Sequence, residues 1–146
     1  MKTAAKTAAH IVATILITPW LASYVLRALV MGRDRALEGS TQTLSLLPGI
    51  AGQYLRRAFL ARALEGGCPL SSTVEFGTIF SQAGARIDDN VYVGPRCHIG
   101  LVHLERDVLV AAAVHIPSGA HTHGTETASP IRDQEGQRRL VRIGRG

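Results

Sequence analysis

Residues 74–116 read VEFGTIFSQAGARIDDNVYVGPRCHIGLVHLERDVLVAAAVHI, and they decide the reading of the chain. Aliphatic or Phe residues recur at Val74, Phe80, Ile87, Val93, Ile99, Leu104, Val110 and Ile116, in steps of 6, 7, 6, 6, 5, 6 and 6. The position after each anchor is small or acidic: Glu75, Ser81, Asp88, Gly94, Gly100, Glu105, Ala111. Four places on, a small or β-branched residue is common, as at Thr78, Val91, Cys97 and Val108. This spacing matches neither the period of two of a half-buried strand nor the 3.6 of a helix. A period of six is the signal of a parallel β-helix, three hexapeptides making a turn of roughly 18 residues. Successive turns would stack at about 4.8 Å. A narrow interior of this kind accepts Val and Ile, which agrees with an aromatic content of 5%. Glycines and Asn90 suit its corners.

The histidines follow the repeat. Five of the six lie between positions 98 and 123. His98 and His115 close equivalent hexapeptides, and His103 and His121 are separated by a similar interval. Two imidazole columns are therefore expected, each one strand spacing apart. After Ile116 the repeat stops. The sequence HTHGTETASPIRDQEGQRRL, residues 121–140, has no anchor, and Val141 and Ile143 resume the pattern. A loop of this length inside a compact repeat is uncommon without a function. Cys97 falls at a small inward position and reads as packing. Cys68 has no evident base beside it. Two cysteines without a C-x-x-C give neither a disulfide scaffold nor a structural zinc site.

The first part of the chain differs in charge. Of 146 residues, 16 are Lys or Arg and 11 are Asp or Glu. Residues 1–67 hold eight basic and three acidic residues, whereas residues 68–146 hold eight of each. The whole excess therefore sits in the first part, which suggests two parts with two tasks. Residues 11–26, IVATILITPWLASYVL, carry no charge and contain Pro19, Trp20 and Tyr24. This run is at the margin of the roughly 20 residues of a spanning helix, and Pro19 is expected to kink it. Lys2 and Lys6 before it and Arg27, Arg33 and Arg35 after it suit a helix lying in an anionic headgroup region. Residues 45–64, SLLPGIAGQYLRRAFLARAL, read as a turn at Pro48-Gly49 followed by an amphipathic helix, with Arg56, Arg57 and Arg62 toward one side. A basic amphipathic helix is a peripheral membrane signal. Membrane association is accordingly expected of residues 1–64, at the cytoplasmic face of the cytoplasmic membrane. Basic residues without interleaved aromatics give no nucleic-acid signature.

IDDNVYVGPRCHIG followed by DVLVAAAVHIPSGAHTHG resembles the left-handed β-helix hexapeptide acyltransferases, in particular bacterial O-acetyltransferases of the maltose and galactoside type that serve polysaccharide biosynthesis. The resemblance covers about residues 72–146, and LSLLPGIAGQYLRRAF resembles the amphipathic leader of some polysaccharide acyltransferases. It implies a mainly β chain: a left-handed parallel β-helix over residues 68–146, with loop 121–140 inserted, behind an α-helical segment over residues 1–67. It implies acetyl-CoA or another acyl-CoA as co-substrate, no metal, a sugar or lipid-linked glycan as acceptor, and a homotrimer in the full-length form. The resemblance implies His121, at the start of the loop, as the base, with His123 second. A neutral imidazole can take the proton of an attacking hydroxyl, and a backbone N–H can meet the oxyanion. The resemblance also implies Ser81 as a residue of the acceptor pocket. Glu126 and Asp133 are candidates to orient the base or bind acceptor, and Arg132, with Arg138 and Arg139, to meet phosphates. Members of the family continue with further hexapeptides that complete the CoA groove, so a chain ending in VRIGRG is expected to be truncated. The alternatives on the same fold are a γ-carbonic-anhydrase-like zinc enzyme, for which two His columns are suggestive, and a truncated, non-catalytic β-helix module.

Overall fold

The computed structural model describes residues 2–126 and 128–146. Three helices come first: α1 (Lys2–Met31), α2 (Arg33–Ser45) and α3 (Gly49–Ala63). Nine short strands follow among the described residues: β1 (Thr73–Val74), β2 (Ile79–Phe80), β3 (Arg86–Ile87), β4 (Tyr92–Val93), β5 (His98–Ile99), β6 (Val102–Leu104), β7 (Leu109–Val110), β8 (His115–Ile116) and β9 (Val141–Ile143). They form three parallel three-stranded sheets, ordered β1-β4-β7, β2-β5-β8 and β3-β6-β9.

This corrects the expected fold class. The chain is not a mainly β, left-handed β-helix. Helices of 30, 13 and 15 residues far outweigh strands of two or three residues, and the architecture is mixed α and β. The physical reason lies in both parts. Residues 2–63 meet the length and composition of helices almost without interruption. A six-residue repeat, by contrast, leaves only about two extended residues between turns, so the repeat that dominates the sequence pattern contributes little regular strand. The anchors themselves are buried, from Val74 to Ile116, and they form one apolar cluster with Leu37, Leu44, Phe59 and Leu60 of the helices.

Helix α1 packs along one stripe. Ala13, Ile17 and Tyr24 are buried, with Leu21 and Ala28 partly so, at the three- and four-residue spacing of one helical face. The Tyr24 ring meets Phe59 edge-on at 5.6 Å. The helix continues through Pro19, which lies on the exposed side. The other face stays open and apolar: Ile15, Leu16, Leu26, Leu29 (81% exposed) and Val30 (87% exposed) are uncovered.

Helices α2 and α3 close the backbone edge of the first strands. The Thr41 hydroxyl donates to Phe80 C=O at 3.0 Å and accepts Phe80 N–H at 3.2 Å. Asp34 Oδ1 accepts Ala83 N–H at 2.9 Å, and Ser45 C=O accepts Gly77 N–H at 2.9 Å. Arg56, 2% exposed, donates from Nε to Val74 C=O at 3.0 Å. From Nη1 it donates to Leu44 C=O at 3.2 Å and Leu47 C=O at 2.6 Å, the carbonyls at the end of α2. Arg57 donates to Leu70 C=O at 2.9 Å. The arginines expected on a lipid-facing side are thus partly consumed inside the fold. A guanidinium suits this task, because its fixed fork of donors reaches three carbonyls at once.

The corners are held by left-handed residues. Gly77, Arg96 and Ala113 have φ of 78°, 60° and 58°, and Asn90 and Asp107 have 59° and 67°. Asn90 Nδ2 donates to Asp107 Oδ1 at 2.9 Å, which holds the Asp107 carboxyl below its ordinary range. A Cβ at Gly77 would stand 3.0 Å from Arg96 Cγ, in addition to the strained backbone.

Two outcomes follow for stability. Arg56→Met removes the donor to the buried Val74 C=O and to the carbonyls of Leu44 and Leu47, and lowers the unfolding free energy by about 2–3 kcal/mol. Arg56→Lys restores little of it, since a single ammonium cannot span the three acceptors. Gly77→Ala costs about 1–2 kcal/mol through the left-handed backbone and the Arg96 contact. Urea denaturation followed by circular dichroism reads both. Unchanged midpoints would show that the edge is held by other contacts.

Candidate functional site

The parallel register brings two imidazoles together. β5 pairs with β8 so that His98 lies against His115, and their rings stack with centroids 4.9 Å apart at 29°. This is the first of the two columns expected from the spacing. The second does not form, because β6 pairs with β9 and sets His103 opposite Arg142. Loop residues 121–140 leave the sheets, so the strand that follows β8 in sequence takes the place assigned to His121. His103 Nε2 instead meets Asp88 Oδ1 at 3.1 Å.

The stacked pair lines a cleft of about 340 Å3, within the range of small-molecule sites. Its walls come from three regions. Helix α2 supplies Glu38, whose Oε1 is 4.0 Å from His98 Nε2. The segment after β2 supplies Ser81 and Gln82, and the loop supplies Thr122, His123 and Arg138. The Ser81 hydroxyl donates to Ile99 C=O at 3.4 Å. The Arg138 guanidinium pairs with Asp34 at 3.5 Å and ties the loop to α2. The loop base is pinned where Gln137 N–H donates to His121 C=O at 2.7 Å and Arg139 N–H donates to Ser118 C=O at 2.8 Å.

The candidate residues separate into three groups. His123 and Ser81 line the cleft. His121 is exposed and its ring is not part of the lining. Glu126 and Asp133 line a different hollow of about 320 Å3 within the loop, organised by Gln134, whose amide bonds the backbone of Glu126 and Ser129. Arg132 is exposed and pairs with Asp133 at 3.4 Å. Glu38 was not legible as a site residue: it reaches the histidines across 60 positions, and nothing in its local sequence marks it. His98 and His115 were legible as a stacked pair, and what the spacing could not supply was the α2 wall beside them.

The cysteines stay apart from this chemistry. Cys97 is buried, with its thiol toward Ala111 C=O. Burial pushes the Cys68 thiol up to about 12, so the nucleophilic thiolate is scarce at neutral pH. Among the described residues, no three His, Cys, Asp or Glu side chains gather as a metal-binding group.

A second cleft of about 560 Å3 adjoins the first, lined by Met31, Arg33, Asp34, Arg35, Glu65, Ala83, Gly84 and Arg138. Arg33 pairs there with Glu65 at 3.1 Å. Arg138 belongs to both clefts. Set beside known proteins, the chain finds no counterpart: no family model, no curated protein and no solved structure matches it.

Proposed function

We propose that this chain takes part in the transfer of an acyl group from acyl-CoA to a sugar hydroxyl, with a cleft imidazole as general base. The observation that carries the reading is the convergence of His98, His115 and His123 with Glu38 and Ser81 in one cleft of ligand size. A hydroxyl is a weak nucleophile at neutral pH, and an imidazole titrates near the operating pH. Acyl-CoA supplies the activated carbonyl: as the hydroxyl oxygen bonds to it the thioester C–S bond breaks, and CoA leaves as the thiol with the proton that the imidazole removed. The chain's own part is to hold the acceptor and take its proton. His123, which the loop contributes to the cleft lining, is assigned as the base. The stacked pair His98 and His115, with Glu38 4.0 Å from His98, presents ring N–H groups that can donate to an oxygen that becomes negative as the hydroxyl attacks. Ser81 and Gln82 offer a hydroxyl and an amide to the remaining sugar oxygens.

The open face of α1 supports membrane association. Residues Lys6–Met31 form a helix long and apolar enough to cross a bilayer by length and composition. One stripe of that helix is packed against α2 and α3, which suits a helix lying in the interface with its outer face in lipid better than one surrounded by it. The acceptor then belongs to polysaccharide-type biosynthesis on the cytoplasmic face of the cytoplasmic membrane, as a sugar or lipid-linked glycan.

Acyl-CoA consumption against nucleotide sugars and lipid-linked sugars tests the chemistry. His123→Ala is expected to lower turnover by roughly 100-fold or more, while His121→Ala stays within a few-fold. Loss in His98→Ala with full turnover in His123→Ala would move the base to the stacked pair, and full turnover in both would end the reading. Vesicle flotation tests the membrane face. The native chain should float with anionic vesicles, and Leu29→Glu or Val30→Glu, at exposed positions that leave the core intact, should weaken partition about ten-fold or more. A native chain that stays in the soluble fraction would refute the association.

A further inference from the structure

The geometry points to the arginine-lined cleft beside the histidines as the site that binds a phosphate of the acyl acceptor, an inference that rests on the proposed transfer reaction. Three features join the two clefts. Along α2, Arg33, Asp34 and Arg35 line the larger cleft, and Glu38, one helical turn on, lines the smaller. Along the chain after β2, Ser81 and Gln82 face the histidines while Ala83 and Gly84 face the arginines. Arg138 lines both. A helical turn rises about 5.4 Å, so a group bound at the arginines lies about one sugar ring away from the imidazoles.

The charge balance favours an anion. Arg33, Arg35 and Arg138 stand against Asp34 and Glu65. The two carboxylates each hold one arginine in an exposed pair, at 3.1 Å and 3.5 Å. Such pairs are worth little in water and yield readily to a stronger acceptor. Asp34 is also occupied by Ala83 N–H. Arg35 makes no hydrogen bond or ion pair among the described residues, and its planar donors match a phosphate. An uncharged glycan could accept hydrogen bonds here but would leave the surplus positive charge of the three arginines over the two carboxylates uncompensated.

The position of the cleft favours an amphiphile as the source of that phosphate. Met31 is at its rim, and the uncovered Leu26, Leu29 and Val30 precede it on the open face of α1. A carrier lipid lying along this face would bring its phosphate to Arg33 and Arg35 and its first sugar to the histidines. A nucleotide sugar offers the same phosphate chemistry without the tail.

Binding rather than turnover is the readout. The full chain in detergent micelles is titrated with inorganic pyrophosphate by calorimetry. In parallel, its partition is measured on phosphatidylcholine vesicles with and without phosphatidic acid. Arg35→Gln and Arg138→Gln, both at exposed positions, are expected to weaken pyrophosphate binding about ten-fold each. Arg35→Lys should keep part of it, and Arg106→Gln, in the turn between β6 and β7 and outside the lining of both clefts, should keep all of it. A gain in partition with phosphatidic acid that the same two variants remove assigns the phosphate to a lipid. An effect on pyrophosphate alone assigns it to a soluble donor of phosphate such as a nucleotide sugar. Binding in neither arm, or binding that Arg35→Gln and Arg138→Gln leave unchanged, overturns the site. If the variants abolish phosphate binding but no acyl transfer is found with any acceptor, the phosphate site stands and the transfer reading falls.

Discussion

The arrangement depends on how the open backbone of β1 and β2 is satisfied. A row of unpaired N–H and C=O groups at a sheet edge is a liability in any fold. Here the helical part of the chain answers it group by group. Thr41 takes both bonds of Phe80, Asp34 takes Ala83 N–H, and Arg56 takes Val74 C=O while also holding the last carbonyls of α2. The same contacts fix α2 in rotation and height. Because Thr41 and Asp34 are tied to the segment around β2, Glu38 between them is held facing His98. Edge closure and site formation are one set of interactions.

The site illustrates how a short strand can be an exact positioning device without much regular structure. β5 and β8 contribute two residues each, yet their register places His98 on His115 with ring centroids 4.9 Å apart. The left-handed corners at Arg96 and Ala113 set where each strand begins. The loop then supplies what the sheets cannot, namely His123 and Arg138, and its stem is pinned by backbone bonds at His121 and Ser118.

Much of this was legible in local spacing, and the remainder was not for identifiable reasons. The anchors from Val74 to Ile116 are buried as their recurrence implied, and the chain breaks between α2 and α3 at residues 46–48, with Gly49 already the first residue of α3. The class assigned from that recurrence was wrong, because a repeat marks buried positions without fixing how much of the chain is strand, and the helices outweigh it. The pairing of His103 with Arg142 was hidden by the loop, which breaks the count between β8 and β9. Arg56 looked like a surface charge because sequence records no carbonyl acceptors. Glu38 and the arginines of α2 acquire meaning only when a helix is laid beside a strand more than 40 residues away.

One consequence concerns dissection of the molecule. The apparent seam near position 67, drawn from charge and hydropathy, passes between α3 and β1, but the histidine cleft takes Glu38 from one side of it and His98, His115 and His123 from the other. Cleaving the polypeptide there would divide the lining of this cleft between two fragments. Each half would keep part of one recognition surface, and reassembly of the halves would be the condition for any ligand to be held.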